Sequence, residues 1–82
     1  MEAKELEVLF RDNLRGLRED AGLSQSELAR RISRPPGFIC DFERGRRSPS
    51  LGTIALLAEG LGVSPAALLS TVRSRHRERI SA

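Results

Sequence analysis

The sequence predicts an all-α domain of five short helices, and three observations carry that prediction. Apolar residues recur at steps of three and four rather than two. Serines stand where helices should start, and glycine or proline stands where they should stop. No stretch shows the strict alternation of a half-buried strand. With 82 residues and 39% hydrophobic content, the chain can build one modest core and does not have the composition of a disordered segment.

Leu6, Phe10, Leu14, Leu17 and Ala21 define one face of a first helix, and Gly22 supplies a left-handed stop. Gly16 lies inside this pattern at a cost of about 1 kcal/mol relative to alanine. Ser24 opens a second helix with a capping box, since Glu27 three residues on reaches back to the Ser24 amide. Leu28, Ala29 and Ile32 form its buried stripe. It must end before Pro35, because the residue preceding a proline is pushed out of helical geometry.

Pro36 can begin a third helix, where a missing N–H loses nothing, and this helix is expected from Pro36 to Arg44. Ile39 and Phe42 point inward, Phe38 lies beside them, and Gly45 closes the helix. After the loop Arg46-Arg47-Ser48-Pro49, Ser50 caps a fourth helix with Leu51, Ile54, Leu57, Ala58 and Leu61 on one side. Gly62 ends it. Ser64 and Pro65 then start a fifth helix that buries Leu68 and Leu69. The expected organisation is a helical domain over 1–70 and a basic extension over 71–82.

Charge is distributed unevenly. Residues 1–23 have a balance of −2, whereas in 30–47 six arginines face only Asp41 and Glu43, a balance of +4. The last stretch sets Arg73, Arg75, Arg77 and Arg79 against Glu78. Such clusters attract polyanions, of which nucleic acid is the usual one for a small domain; a solvated arginine-rich surface is the alternative. The extension either continues the fifth helix or forms an arm; its four arginines at every second position make no single helical stripe, which favours a disordered, polyanion-attracting arm.

Cys40 is the single cysteine, so no internal disulfide framework is possible, and no histidine or cysteine cluster suggests a metal. Cys40 itself reads as a small, partly buried side chain rather than a redox switch. No cofactor is implied. No apolar run approaches the length of a membrane span, and the start is acidic rather than a basic signal region. The expectation is a cytoplasmic protein with no membrane partner.

Two short helices joined by a tight turn are a common arrangement, but the wording of the segment is specific. Leu14-Arg15-Gly16-Leu17-Arg18, Gly22-Leu23-Ser24-Gln25-Ser26-Glu27-Leu28-Ala29, Phe38-Ile39, Phe42-Glu43-Arg44-Gly45, Pro49-Ser50-Leu51 and the run from Leu57 to Ser64 appear in fixed order. Over about residues 10–69 the chain resembles the phage-repressor and Cro-type (xenobiotic-response-element) helix-turn-helix family. The resemblance implies a compact five-helix repressor-like fold, binding of double-stranded DNA by the second and third helices, and a homodimer on a two-fold-related operator. It also implies an internal ion pair between Arg18 and Glu43.

By the same resemblance, Pro36, Gly37 and Asp41 face base edges, with Phe38 close to backbone and bases. Gln25, in the first turn of helix two, is expected to join a phosphate contact, the alternative being an exposed glutamine. Asp41 can accept from a cytosine amino group, or else pair with Arg44 one turn later. Proline and glycine offer no side-chain hydrogen bonds, so Arg34, Arg44, Arg46 and Arg47 are expected to clamp phosphates, with Arg46 or Arg47 entering a narrow minor groove. Ser33 replaces the glycine common in the family's turn, and the prolines are expected to adjust the geometry there.

The leading function is therefore a sequence-specific transcriptional regulator, a repressor or controller-type protein, dimerising through apolar residues near Leu68, Leu69 and Val72. The alternative is a protein-interaction module, such as an antitoxin or accessory subunit, that uses the same fold. An enzyme is set aside: no histidine has an acid partner and no glycine loop cradles phosphate.

Overall fold

The computed structural model describes residues 1–71. Four α-helices follow in order, α1 (Ala3–Asp20), α2 (Gln25–Arg31), α3 (Gly37–Glu43) and α4 (Leu51–Leu61), and a short 3₁₀ helix (Pro65–Leu69) follows them. All regular structure among the described residues is helical. The fifth expected α-helix is this 3₁₀ turn, five residues that Ser64 opens by accepting the Ala66 N–H. Val72 and the rest of the basic extension lie outside the described residues.

Caps read from sequence are formed. The Ser24 hydroxyl accepts the Glu27 N–H at 3.0 Å while the Glu27 carboxylate accepts the Ser24 N–H at 2.7 Å. Ser50 caps α4 by accepting the Thr53 N–H.

The four α-helices also end alike. In each, one residue turns left-handed and two backbone bonds close over the last turn, the Schellman arrangement. At α1, Gly22 N–H donates to Glu19 and Leu23 N–H to Arg18. The equivalent residues are Gly45 at α3 and Gly62 at α4, all three glycines having φ of 70–75°. At α2 the left-handed residue is Ser33, with φ 57°, its N–H donating to Arg30 and that of Arg34 to Ala29. The sequence assigns the adjustment of this turn to the two prolines; in the structure Ser33 itself closes it in the left-handed conformation.

The core gathers one stripe from each helix: Phe10 and Leu14, then Leu28, Ala29 and Ile32, then Ile39 and Phe42, then Ile54, Leu57, Ala58 and Leu61, with Leu68 beneath. α1 packs on the 3₁₀ turn and α3, while α2 packs on α3 and α4. Three expected core positions are not core. Leu6, in the first turn of α1, is 40% exposed and Leu51, the first residue of α4, is 84% exposed. Ala21, at the end of α1, is also exposed.

Two polar or small residues fix the packing. Asn13 is buried on the apolar face of α1, and its amide donates to the carbonyls of Leu68 and Ser70, both at 2.9 Å. A side-chain amide that uses both hydrogens in the interior ties α1 to the chain's last described turn without an unpaired donor. Gly60 lets α4 approach α2: a Cβ there would lie 2.6 Å from Ile32 Cγ2. The Arg31 guanidinium donates to the Gly60 carbonyl across the same contact.

Candidate nucleic-acid interface

Residues 32–36 turn the chain between α2 and α3, two helices of seven residues each. Pro36 is the cap preceding α3 rather than its first residue, and the helix ends at Glu43 rather than Arg44, a one-residue shift at each end. Ile39 and Phe42 are 0% and 1% exposed, so α3 is anchored from behind and its other side is left outward.

The anchor is completed by Glu43, whose side chain is fully buried. Its carboxylate accepts two bonds from the Arg18 guanidinium, Nε at 2.7 Å and Nη2 at 3.1 Å. Arg15 Nε lies at 3.5 Å and Gln25 Nε2 donates at 2.9 Å. Arg18 uses its remaining Nη1 on the Leu23 carbonyl. One carboxylate at the end of α3 thus gathers α1, α2 and the turn between them. Burial by itself would raise the Glu43 carboxyl. The hydrogen bonds from Arg18 and Gln25, the Arg18 charge and the Arg15 bond together outweigh burial and hold it below the ordinary carboxylate value. Arg18 is correspondingly raised, chiefly by its bond to Glu43.

The Arg18–Glu43 pair expected from sequence is therefore present. Sequence reasoning missed that Gln25 and Arg15 join it. Arg15 stands three residues before Arg18 on the same helix, a spacing from which its participation was legible. Gln25 is half-buried, and its amide N–H is engaged by Glu43, which leaves its carbonyl oxygen and second N–H.

On the outward side, Phe38 is half-buried and braced edge-on against Phe42, with ring centroids 5.1 Å apart. The Arg34 and Arg47 guanidiniums lie 5.7 and 5.5 Å from the Phe38 ring centre, and Arg47 is also 5.1 Å from that of Phe42. Cation–ring attraction at such exposed sites helps to order the arginines, and Arg34 Nη1 also donates to the Ser33 carbonyl at 3.3 Å. Asp41 pairs with Arg46 at 3.6 Å, not with Arg44 as the helix spacing suggested. The Gly45 turn, which folds the chain back after α3, brings Arg46 to it. Pro36, Gly37 and Arg44 are exposed. Cys40 is partly exposed.

The structure thus groups Arg34, Phe38 and Arg47, groups Asp41 with Arg46, and attaches Gln25 to the Glu43 anchor. Leu68, expected at a dimer interface, is fully buried and unavailable for one; Leu69 is partly buried. Among the described residues no helix is long and apolar enough to cross a membrane.

Comparison with known proteins identifies the arrangement. The family model for the helix-turn-helix domain matches residues 9–70. An HTH-type transcriptional regulator of Sinorhizobium fredii is 35% identical over 66 residues, covering 80% of this chain and 86% of that protein. The immunity repressor of Bacillus phage phi105 is 30% identical over 56 residues, which is 68% of this chain and 39% of the repressor, so that likeness concerns one part of a longer protein. Among solved structures, the restriction-modification controller protein C.AhdI of Aeromonas hydrophila superposes with a TM-score of 0.71 at 39% identity, covering 76% of this chain and 94% of that one. The chain belongs to the helix-turn-helix family of DNA-binding transcriptional regulators, in its phage-repressor and Cro-type branch, and this family is not one of enzymes.

Proposed function

We propose that this protein regulates transcription by docking the outward side of α3 and the loop 44–47 on duplex DNA as a homodimer. The observation that carries the reading is that Arg34, Arg44, Arg46 and Arg47 are all exposed around α3, whose inner face is locked to the core. Each guanidinium that meets a phosphate releases condensed counterions, so affinity should fall steeply with salt. Gln25 contributes a phosphate contact through the amide atoms that Glu43 does not use. Pro36, Gly37, Phe38 and Asp41 face the bases, and Arg46 or Arg47 reaches a narrow minor groove.

The dimer face we assign is the apolar depression lined by Leu6, Phe10, Pro49, Leu51, Ile54 and Leu69. Leu51 is the most exposed large apolar side chain in it, and a second copy would cover it. Two such subunits read half-sites about 34–36 Å apart on one DNA face.

Selection of bound sequences from a random duplex pool tests the reading. The expected result is a two-fold-related motif whose binding weakens as salt rises. Absence of any salt-dependent duplex binding at low ionic strength overturns it. One observation favours a second reading, a protein-interaction module of the antitoxin or accessory-subunit kind: Pro36, Gly37 and Phe38 bring no side-chain hydrogen-bonding groups to the outer face. A stoichiometric protein partner, together with DNA binding unchanged in Asp41→Ala, would support that reading over base contact.

A further inference from the structure

The outer face of α3 contains a residue that the fold does not explain. Gly37 has an ordinary negative-φ backbone, unlike Gly22, Gly45 and Gly62, and a Cβ built on it meets nothing within 4 Å. Neither backbone geometry nor internal packing calls for glycine there, and glycine is the poorest helix former after proline. What remains is close approach by something outside the molecule.

The neighbouring chemistry says what that is. Pro36 presents only carbon beyond the backbone, Gly37 presents no side chain at all, and Phe38 adds a ring braced by Phe42 with the Arg34 and Arg47 guanidiniums over it. Asp41, the carboxylate on this face, has Oδ1 turned to Arg46. In the major groove, base edges offer donors, acceptors and a single apolar feature, the C5-methyl group of thymine. The side chains of Pro36, Gly37 and Phe38 offer no donor or acceptor, so contact through them discriminates bases only by that methyl. The arginines beside Phe38 match the phosphates that border the groove, so the apolar patch is framed by charge of the right sign for this partner.

We infer that this protein reads thymine through its C5-methyl group, with Pro36 and Phe38 as the contacting residues and Gly37 as the point of closest approach. The inference rests on the DNA-binding reading above and names the base feature that this face recognises.

The test uses the full-length protein and the duplex selected from the random pool, with each thymine replaced in turn by deoxyuridine, which pairs identically but lacks the methyl. At one or two positions per half-site the replacement should weaken binding about fourfold, the worth of one buried methyl group. In Phe38→Ala the thymine and deoxyuridine duplexes should bind alike at those positions. Gly37→Ala supplies a variant whose folding is not at risk: its Tm should be no lower than that of the unchanged protein, while its affinity for the thymine duplex falls. The inference is overturned if no position distinguishes thymine from deoxyuridine, if the distinction survives in Phe38→Ala, or if Gly37→Ala binds as well as the unchanged protein. Failure of the unchanged protein to bind any duplex would instead overturn the functional reading on which the inference stands.

Discussion

The inner and outer sides of α3 are built from opposite chemistry within seven residues. Inward, Ile39, Phe42 and Glu43 are buried, and the one charge among them has a partner for each oxygen. Outward, Pro36, Gly37 and Arg44 are exposed, and Arg46 and Asp41 form a loose pair with side chains 60% and 38% exposed. A buried carboxylate is tolerated only when fully paired, so the inner side has little freedom to change. An exposed pair of this kind is worth about 1 kcal/mol at most, so the outer side can vary at small cost to folding. The fold thus separates stability from recognition across the width of one helix.

The largest break in that comparison comes from Glu43→Ala, which leaves the part-buried Arg18 unpaired and should destabilise by about 3–5 kcal/mol in urea unfolding. Against a total of roughly 5–15 kcal/mol for a typical domain, that change is near the limit of folding. A loss below about 1 kcal/mol would mean that the anchor is idle.

Acid acts on the same group. Because the folded-state value of Glu43 is depressed below its ordinary 4.5, its contribution is fully present above that pH. It declines as the unfolded chain takes up the proton and is lost once pH falls through the folded value. Glu27, lowered first by its bond with the Ser24 backbone, contributes in the same window. Urea midpoints measured from pH 7 to pH 3 should therefore fall most below about pH 4.5, and Glu43→Gln should flatten part of that slope.

On the outer side, Arg47→Ala should cost about 1 kcal/mol of stability through its two ring contacts. It should also lower the slope of log affinity against log salt by about 0.9, the release from one phosphate. Arg44→Ala sharpens the contrast: it should change the salt slope similarly while altering stability by no more than about 0.5 kcal/mol. The smallest effect belongs to the turn that joins the two sides. Ser33→Gly should stabilise by less than about 1 kcal/mol, because relief of the left-handed strain is partly offset by the added entropy of the unfolded chain. Destabilisation would show that the Ser33 side chain has a role of its own.

Most of the frame was legible because it depends on neighbours in sequence. Ser24 with Glu27, Ser50 and the glycine stops act within a few residues, so spacing alone located them. Leu6 and Leu51 fitted the helical period equally well, yet periodicity reports which way a side chain points and not whether another element is there to meet it. The Asp41 partner was misplaced for a related reason. A helix-face rule gave Arg44, whereas the left-handed Gly45 returns the chain and delivers Arg46.

Sequence by itself determined that this chain is helical, which residues cap and stop most of its helices, which family frame it carries and that its charge gathers at 30–47, since caps, period and composition are local properties. Tertiary structure decided that Glu43 would bind Arg15, Arg18 and Gln25 together, that Asn13 would hold the last turn, that Gly60 would admit α2, and that Gly37 would face open space. Those outcomes depend on which surfaces meet after the chain folds back on itself, and no local rule encodes contacts 18 to 57 residues apart.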